Sequence, residues 1–219
     1  MNTDTFVQLT YQRYRGKNTN VPTVGSEKYN LIVATGNQLM RNWARDPSVD
    51  WMSRYELRSQ GNLSSGLQEY ELDDDIIRLS DYVELRNTSN QKRWRSVVKP
   101  QDRARVSEGV YTYGRPLVLT FIDTVGESLD GFTLYVGCYT MPDAFSNAND
   151  EVLVDNPDWL SYATAAELAR NDPARDDQFG NLQGIANDLY AQMKAANDSS
   201  PFAQSNGAVY NMPTLGGLN

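Results

Sequence analysis

Histidine is absent from the 219 residues, and cysteine occurs once, as Cys138. Without an imidazole there is no Ser-His-Asp or Cys-His machinery and no ordinary histidine-bearing zinc site. A single thiol cannot build a disulfide framework within the chain, and the composition suits a reducing compartment. Cys138 stands between Gly137 and Tyr139 in a predicted strand, where a buried structural thiol is expected. No apolar run approaches the ~20 residues that span a bilayer, so no membrane partner is expected. Met1-Asn2-Thr3-Asp4 has neither the basic start nor the apolar stretch of a signal peptide.

Charge of either sign is missing from residues 199–219. Elsewhere it is unevenly spread. Residues 1–142 carry 17 acidic and 17 basic side chains, whereas 143–198 carry 11 acidic and 3 basic, so the whole net charge of −8 falls in that second stretch. An acidic surface repels phosphate, which argues against a sequence-specific nucleic-acid reader but not against a wall that DNA slides past. Apolar residues at 40% and charged residues at 22% are those of a folded chain.

The strongest pattern runs from Asp155 to Ala196. Asn156-Pro157-Asp158 is a helix start: a capping side chain, a proline where the first turn tolerates it, and an acid at the positive end of the dipole. Trp159, Tyr162, Ala163, Ala166 and Ala169 follow on one face until Asn171-Asp172-Pro173 stops the helix. Phe179, Leu182, Ala186, Leu189, Met193 and Ala196 form the stripe of a second helix. Two such helices with a short connection pack as an antiparallel pair. Further upstream, residues 5–15 fit helical or alternating spacing, with the helix favoured. Tyr29, Ile32, Val33, Gly36, Leu39, Met40 and Trp43 predict a helix from Ser26 that Asp46-Pro47 ends.

Between these helices the period changes. Trp51–Arg58, Leu67–Leu72, Ile76–Leu79, Tyr82–Arg86, Trp94–Val98, Leu117–Asp123 and Thr133–Met141 read as short strands. Turns are predicted at 60–66, 73–75 and 126–131, and a short helix over 100–108. The expected fold is α+β, an antiparallel helical bundle with an inserted small antiparallel β-sheet region and an extended C-terminal tail. Its parts are the N-terminal helices (1–50), the inserted β region (51–145), the C-terminal helical hairpin (146–198) and the tail (199–219). The tail's apolar residues Phe202, Val209, Tyr210, Met212, Leu215 and Leu218 share no period. A purely solvating tail does not need them, so a peptide that docks on a partner is expected.

Several stretches only resemble chemistry. Asp73-Asp74-Asp75 could hold a hard cation or pair carboxylates for glycoside cleavage, but adjacent aspartates more often make a solvated turn. Asn147-Ala148-Asn149-Asp150-Glu151 alternates oxygen side chains like a calcium loop, without that loop's glycine and closing glutamate. Ser89–Lys92 and Ser96–Lys99 fit Ser-x-x-Lys away from any convincing helix start. Arg93, Arg95, Arg103 and Arg105 flank Trp94, which is either a phosphate-binding face or one side of an exposed strand. No catalytic residue, metal site or cofactor is assigned.

The order of segments resembles the head-to-tail adaptor (connector) proteins of short-tailed bacteriophages. The likeness covers roughly residues 26–197. It rests on the helix ending in Asn42-Trp43 with Trp51 beyond it, and on the extended Tyr70–Leu79 with its aspartates. It rests also on the late strand Leu134–Met141 leaving through Pro142-Asp143, and on the small-residue helix Leu160–Ala169 of the final pair. The tail beyond Asp198 is longer than the family pattern requires. The resemblance implies a non-enzymatic virion protein at the head–tail interface, assembled in the bacterial host cytoplasm. Its partners would be the phage portal protein, a tail nozzle or tail-tube protein, and itself as a dodecameric ring through which DNA passes. Phe202, Val209, Tyr210, Met212 and Leu215 would then be the portal-docking residues. Two other readings stay open: a tail-associated carbohydrate-binding module using Trp94, Tyr111 and Tyr113, and, ranked last, a carboxylate hydrolase using Asp73, Asp74 and Asp75.

Overall fold

The computed structural model of the protein describes residues 1–16 and 20–199. The chain is mixed α+β, with α-helices and two antiparallel sheets among the described residues. It divides into two compact units. Among the described residues, one comprises 1–39, Pro47–Met52 and 145–199; the other comprises Met40–Asp46 and Ser53–Ala144.

The first unit is built from helices whose ends are fixed by side chains. In α1 (Thr3–Arg15) the Asn2 carboxamide accepts from the Thr5 amide at 2.9 Å, and the helix interpretation of 5–15 holds. Backbone bonds pin this N-terminus to a distant segment: the Thr3 and Asp4 amides donate to the carbonyls of Asp150 and Ala148, and the Val152 amide donates to that of Met1. Phe6 and Val7 are completely buried, each side chain worth about 1.5–3 kcal/mol. In α2 (Glu27–Ala44) the Asn37 carboxamide both donates to and accepts from the Phe145 backbone, at 2.7 and 3.1 Å, in the manner of a strand neighbour. Gly36 has a packing reason, since an added Cβ would lie 2.7 Å from the Phe6 ring and 3.0 Å from that of Phe145.

Helix α3 (Pro157–Arg170) is buried on several sides at once, through Trp159, Leu160, Ser161, Ala163, Thr164, Ala165, Ala166 and Ala169. The five-residue face expected from spacing was too narrow, because α3 packs on both α1 and α4 (Asp176–Asp198). Its pairing with α4 is antiparallel: the ring of Trp159, early in α3, lies 5.5 Å from that of Tyr190, late in α4. Arg13 of α1 bonds the Asp158 carboxylate at 2.6 Å and lies 3.9 Å over the Tyr162 ring. The Tyr14 hydroxyl donates to Asp172 at 2.5 Å. On α4 the expected stripe is partly corrected. Leu182, Ala186 and Met193 are buried, Phe179 and Leu189 only partly, and Ala196 is exposed.

The second unit holds seven strands: β1 (Tyr55–Asn62), β2 (Glu69–Glu71), β3 (Ile76–Arg86), β4 (Lys92–Ser96), β5 (Val110–Tyr113), β6 (Val118–Phe121) and β7 (Thr133–Thr140). They form two sheets, β1-β7-β3-β4 and β2-β6-β5, in place of the single small sheet expected. The sheets share one core that includes Leu85, Val110, Leu119, Phe121, Leu134 and Val136. They meet at one edge through a lone parallel bridge between Val97 and Val110. Three further expectations are corrected. Ile76–Leu79 and Tyr82–Arg86 are one strand, whose irregularity between Leu79 and Val83 carries the polar residues that had read as a break. Strands β6 and β7 are not a hairpin but belong to different sheets, and β5 was not foreseen. The helix expected over 100–108 is a 3-10 segment, Pro100–Arg105.

Two glycines make opposite predictions. Gly36→Ala forces the buried Phe6 ring to move and should destabilise the protein by about 1–3 kcal/mol. At Gly184, in α4, an added Cβ meets nothing within 4 Å, so Gly184→Ala should stabilise by about 1 kcal/mol. Urea unfolding of both variants checks the pair.

Candidate interaction surfaces

Strand alternation sets up the outer face of the four-stranded sheet. Val83 and Leu85 enter the core, so Tyr82, Glu84 and Arg86 take the opposite side. The register puts Glu84 between Trp94 of β4 and Tyr135 of β7, and sets Lys92 opposite Arg86. The Glu84 carboxylate is only 3% exposed and accepts from Lys92 Nζ at 3.1 Å and from Arg86 Nε. Burial pushes its pKa up, but the hydrogen bonds from Arg86 and Lys92 outweigh that and hold it below the usual carboxylate range. Arg86 also lies 4.2 Å over the Tyr135 ring. Around this satisfied cluster, Trp94 stays 54% and Tyr82 44% exposed.

The basic residues near Trp94 divide by the pleat. Arg95 turns inward to Asp123 at 3.3 Å and Glu108 at 3.7 Å. Arg93 lies against the Phe132 ring and Arg103 against that of Tyr111. Arg105 bonds Asp102 and is otherwise solvated. The aromatics expected to form a sugar platform are likewise separated: Trp94 stands on one sheet, Tyr111 and Tyr113 on the other, and the Tyr113 hydroxyl donates to Glu69 at 3.0 Å.

The other sequence candidates have structural employment. Arg58 of β1 forks onto Asp75 at 2.7 and 3.1 Å and reaches Glu56 at 2.9 Å and Asp73 at 3.3 Å. The hydrogen bonds it donates to Asp75 and Glu56 make the Arg58 guanidinium hold its proton more tightly than usual. Asp73 and Asp75 are thus members of an ion-pair knot around one cation. The Asp150 carboxylate accepts from the backbone of Ser146 and Asn147 at 2.8 and 2.7 Å, which lowers its pKa and closes the 146–150 turn. Among the described residues no group of three or more acidic or thiol side chains is placed to hold a metal ion. No described helix is long and apolar enough to cross a membrane. Cys138 is fully buried in β7, and burial pushes its thiol up to about 11. The predicted docking residues Phe202, Val209, Tyr210, Met212 and Leu215 lie outside the described residues.

Helix α4 presents a surface that sequence reading missed, because attention went to its apolar stripe. Asp177, Gly180, Gly184, Asp188, Ala191 and Ala195 recur at three- and four-residue steps and are all exposed. They form an acidic face with little side-chain relief. The Arg58 knot and the Glu84 cluster were also missed. Glu84 was findable, since a short polar turn at 87–91 pairs Arg86 with Lys92 across the hairpin. No family model matches the chain, and no curated protein matches it.

Two outcomes follow. Glu84→Gln leaves Arg86 and Lys92 without their countercharge and should cost about 1–3 kcal/mol at pH 7. Because the folded pKa of Glu84 lies below the unfolded one, its contribution is present above the ordinary glutamate range and fades as pH falls through the folded value. Urea unfolding at pH 7 and at pH 3 should show the gap between variant and parent narrowing in acid. Second, Cys138 should resist iodoacetamide at pH 8 in the folded protein and react promptly once urea unfolds it, read by mass spectrometry.

Proposed function

We propose that this protein is a structural virion component: a head-to-tail adaptor of a short-tailed phage that forms a ring on the portal and links it to the tail. The observation that carries this reading is the order of the chain, helices first, then β strands, then the α3–α4 pair, with the whole net charge of −8 within 143–198. In this reading the helices act as an antiparallel bundle into which the β region is inserted, and an acidic wall lets DNA pass without retaining it. The uncharged segment 199–219 docks on the portal through Phe202, Val209, Tyr210, Met212 and Leu215, and the β part meets a tail nozzle or tail-tube protein. The role is non-enzymatic and requires no cofactor. A dodecamer is the expected ring, located in the virion after assembly in the host cytoplasm.

One observation favours a second reading. Exposed Trp94 beside Tyr82, with charged side chains around them, is the kind of flat aromatic surface on which sugar rings stack, which suits a tail-associated carbohydrate-binding module. A glycan array separates the two, since an adaptor shows no sugar affinity.

The adaptor reading is tested by the mass of the protein alone and mixed with its portal. A ring on the portal is expected, and deletion of 199–219 should abolish portal binding while the remainder keeps its unfolding transition. Retained binding by the truncated protein would remove the tail from the proposal.

A further inference from the structure

The edge of a β-sheet presents backbone N–H and C=O groups that another strand can pair, and proteins guard such edges. The two sheets have four of them, on β1, β4, β2 and β5. Three are managed. Strand β2 is only three residues long, and β4 carries Lys92, Arg93 and Arg95 among its five. Beside β5, Val97 bridges Val110, and the Val98 amide donates to the Val110 carbonyl at 2.7 Å. Strand β1 differs. It is eight residues long and pairs only with β7, and among the described residues no backbone bond reaches its outer edge. Its Glu56 and Arg58 are bonded to each other at 2.9 Å instead of standing as a charged guard, and Leu57 between them is 48% exposed. The regular part of this edge is Tyr55–Ser59, because the register shifts between Ser59 and Asn62.

An uncharged strand of about five residues would complete the β1 edge. The chain supplies one close by. In the last turn of α4 the Asn197 carboxamide accepts from the Met52 amide and donates to the Asp50 carbonyl, both at 2.9 Å. Strand β1 starts three residues beyond Met52, a reach of roughly 10 Å. The segment that follows α4 therefore leaves beside the chain that leads into β1. That segment, 200–219, lies outside the described residues and carries no charge. Within it Ala208-Val209-Tyr210-Asn211-Met212 is bounded by Gly207 and Pro213, the pattern of a short strand with its stops. Ala208 follows Ser199 by nine residues. Extended, such a link covers roughly 30 Å, more than the roughly 17 Å of a five-residue strand.

We infer that residues 208–212 add to the β1 edge of their own chain, as a fifth strand of the four-stranded sheet. Backbone pairing supplies the contact, and Leu57 gives an incoming apolar side chain a cross-strand neighbour. The tether decides the occupant. It holds this strand near this edge at a high effective concentration, which a second copy or a separate partner lacks. Val209, Tyr210 and Met212 are also residues assigned above to portal docking, so the two placements exclude one another and portal binding draws the strand off β1. The pairing itself does not rest on the adaptor reading.

Hydrogen exchange of the 219-residue chain, resolved to single amides, tests it. The amides of Tyr55–Ser59 that point away from β7 should be protected, and equally so at every protein concentration. Tyr210→Pro removes a backbone donor from the added strand and alters no described element, and it should speed those amides roughly tenfold or more. Exchange in β4 should be the same in parent and variant, which shows that the sheet is intact in both. Edge amides that exchange as fast in the parent as in the variant overturn the contact. Protection that grows with concentration overturns the placement within one chain, since a second copy then supplies the strand. A chain that joins the portal without ever protecting β1 loses this contact and keeps the adaptor reading. Protected β1 amides in a chain that ignores the portal do the reverse.

Discussion

A helix buried on several sides can be accommodated only if its side chains are small where its neighbours come close. That constraint governs the helical unit. In α3 the run Ala163-Thr164-Ala165-Ala166 is entirely buried, and the buried hydroxyls of Ser161 and Thr164 are satisfied locally, by the Asp158 carbonyl at 3.0 Å and that of Leu160 at 2.7 Å. Small side chains allow α1 and α4 to lie close against it. The ends of the helix are then held by polar contacts to α1, through Arg13 at Asp158 and Tyr14 at Asp172. Each outer helix also has a partner besides α3: Phe6 of α1 packs on Phe145 and beside Gly36 of α2, and Tyr190 of α4 on Trp51.

The β unit solves a different problem, that of charges packed on the outer face and at the strand ends of a small two-sheet fold. Glu84 sits at the centre of a three-strand row and is tolerated because two cations reach it. Arg58 does the converse, one guanidinium serving three carboxylates near the strand ends. Both arrangements fix register: a slip of one residue would carry Glu84 into the hydrocarbon core and Leu85 to solvent. The lone bridge at Val97 and Val110 ties the two sheets along an edge where only a few backbone groups pair.

Much of this was legible in the sequence. The helices declared themselves by caps and periods, Asn156-Pro157 and Asp46-Pro47 above all, and the strands by alternation. What alternation could not reveal was partnership. Leu117–Asp123 and Thr133–Met141 look like two arms of a hairpin, yet the pairing is decided by which face each strand must bury, and Phe121 and Leu134 meet across the core from different sheets. Polar Ser80 and Asp81 imitated a turn because a strand irregularity and a strand end share the same composition. Val110–Tyr113 is too short, and too close to Gly109 and Gly114, to be told from a loop. The exposed face of α4 was hidden for a simpler reason. Glycine and alanine carry little signal, and the apolar stripe of the same helix drew the interpretation away from them.

The four tryptophans are unequally placed. Trp43, Trp51 and Trp159 are buried, and Trp94 alone projects into solvent. The chain therefore contains its own optical label. Iodide quenching and a red-shifted emission component report on the β4 face, while the remaining blue-shifted intensity reports on the interior. Any molecule that covers β4 would silence the first signal and leave the second unchanged.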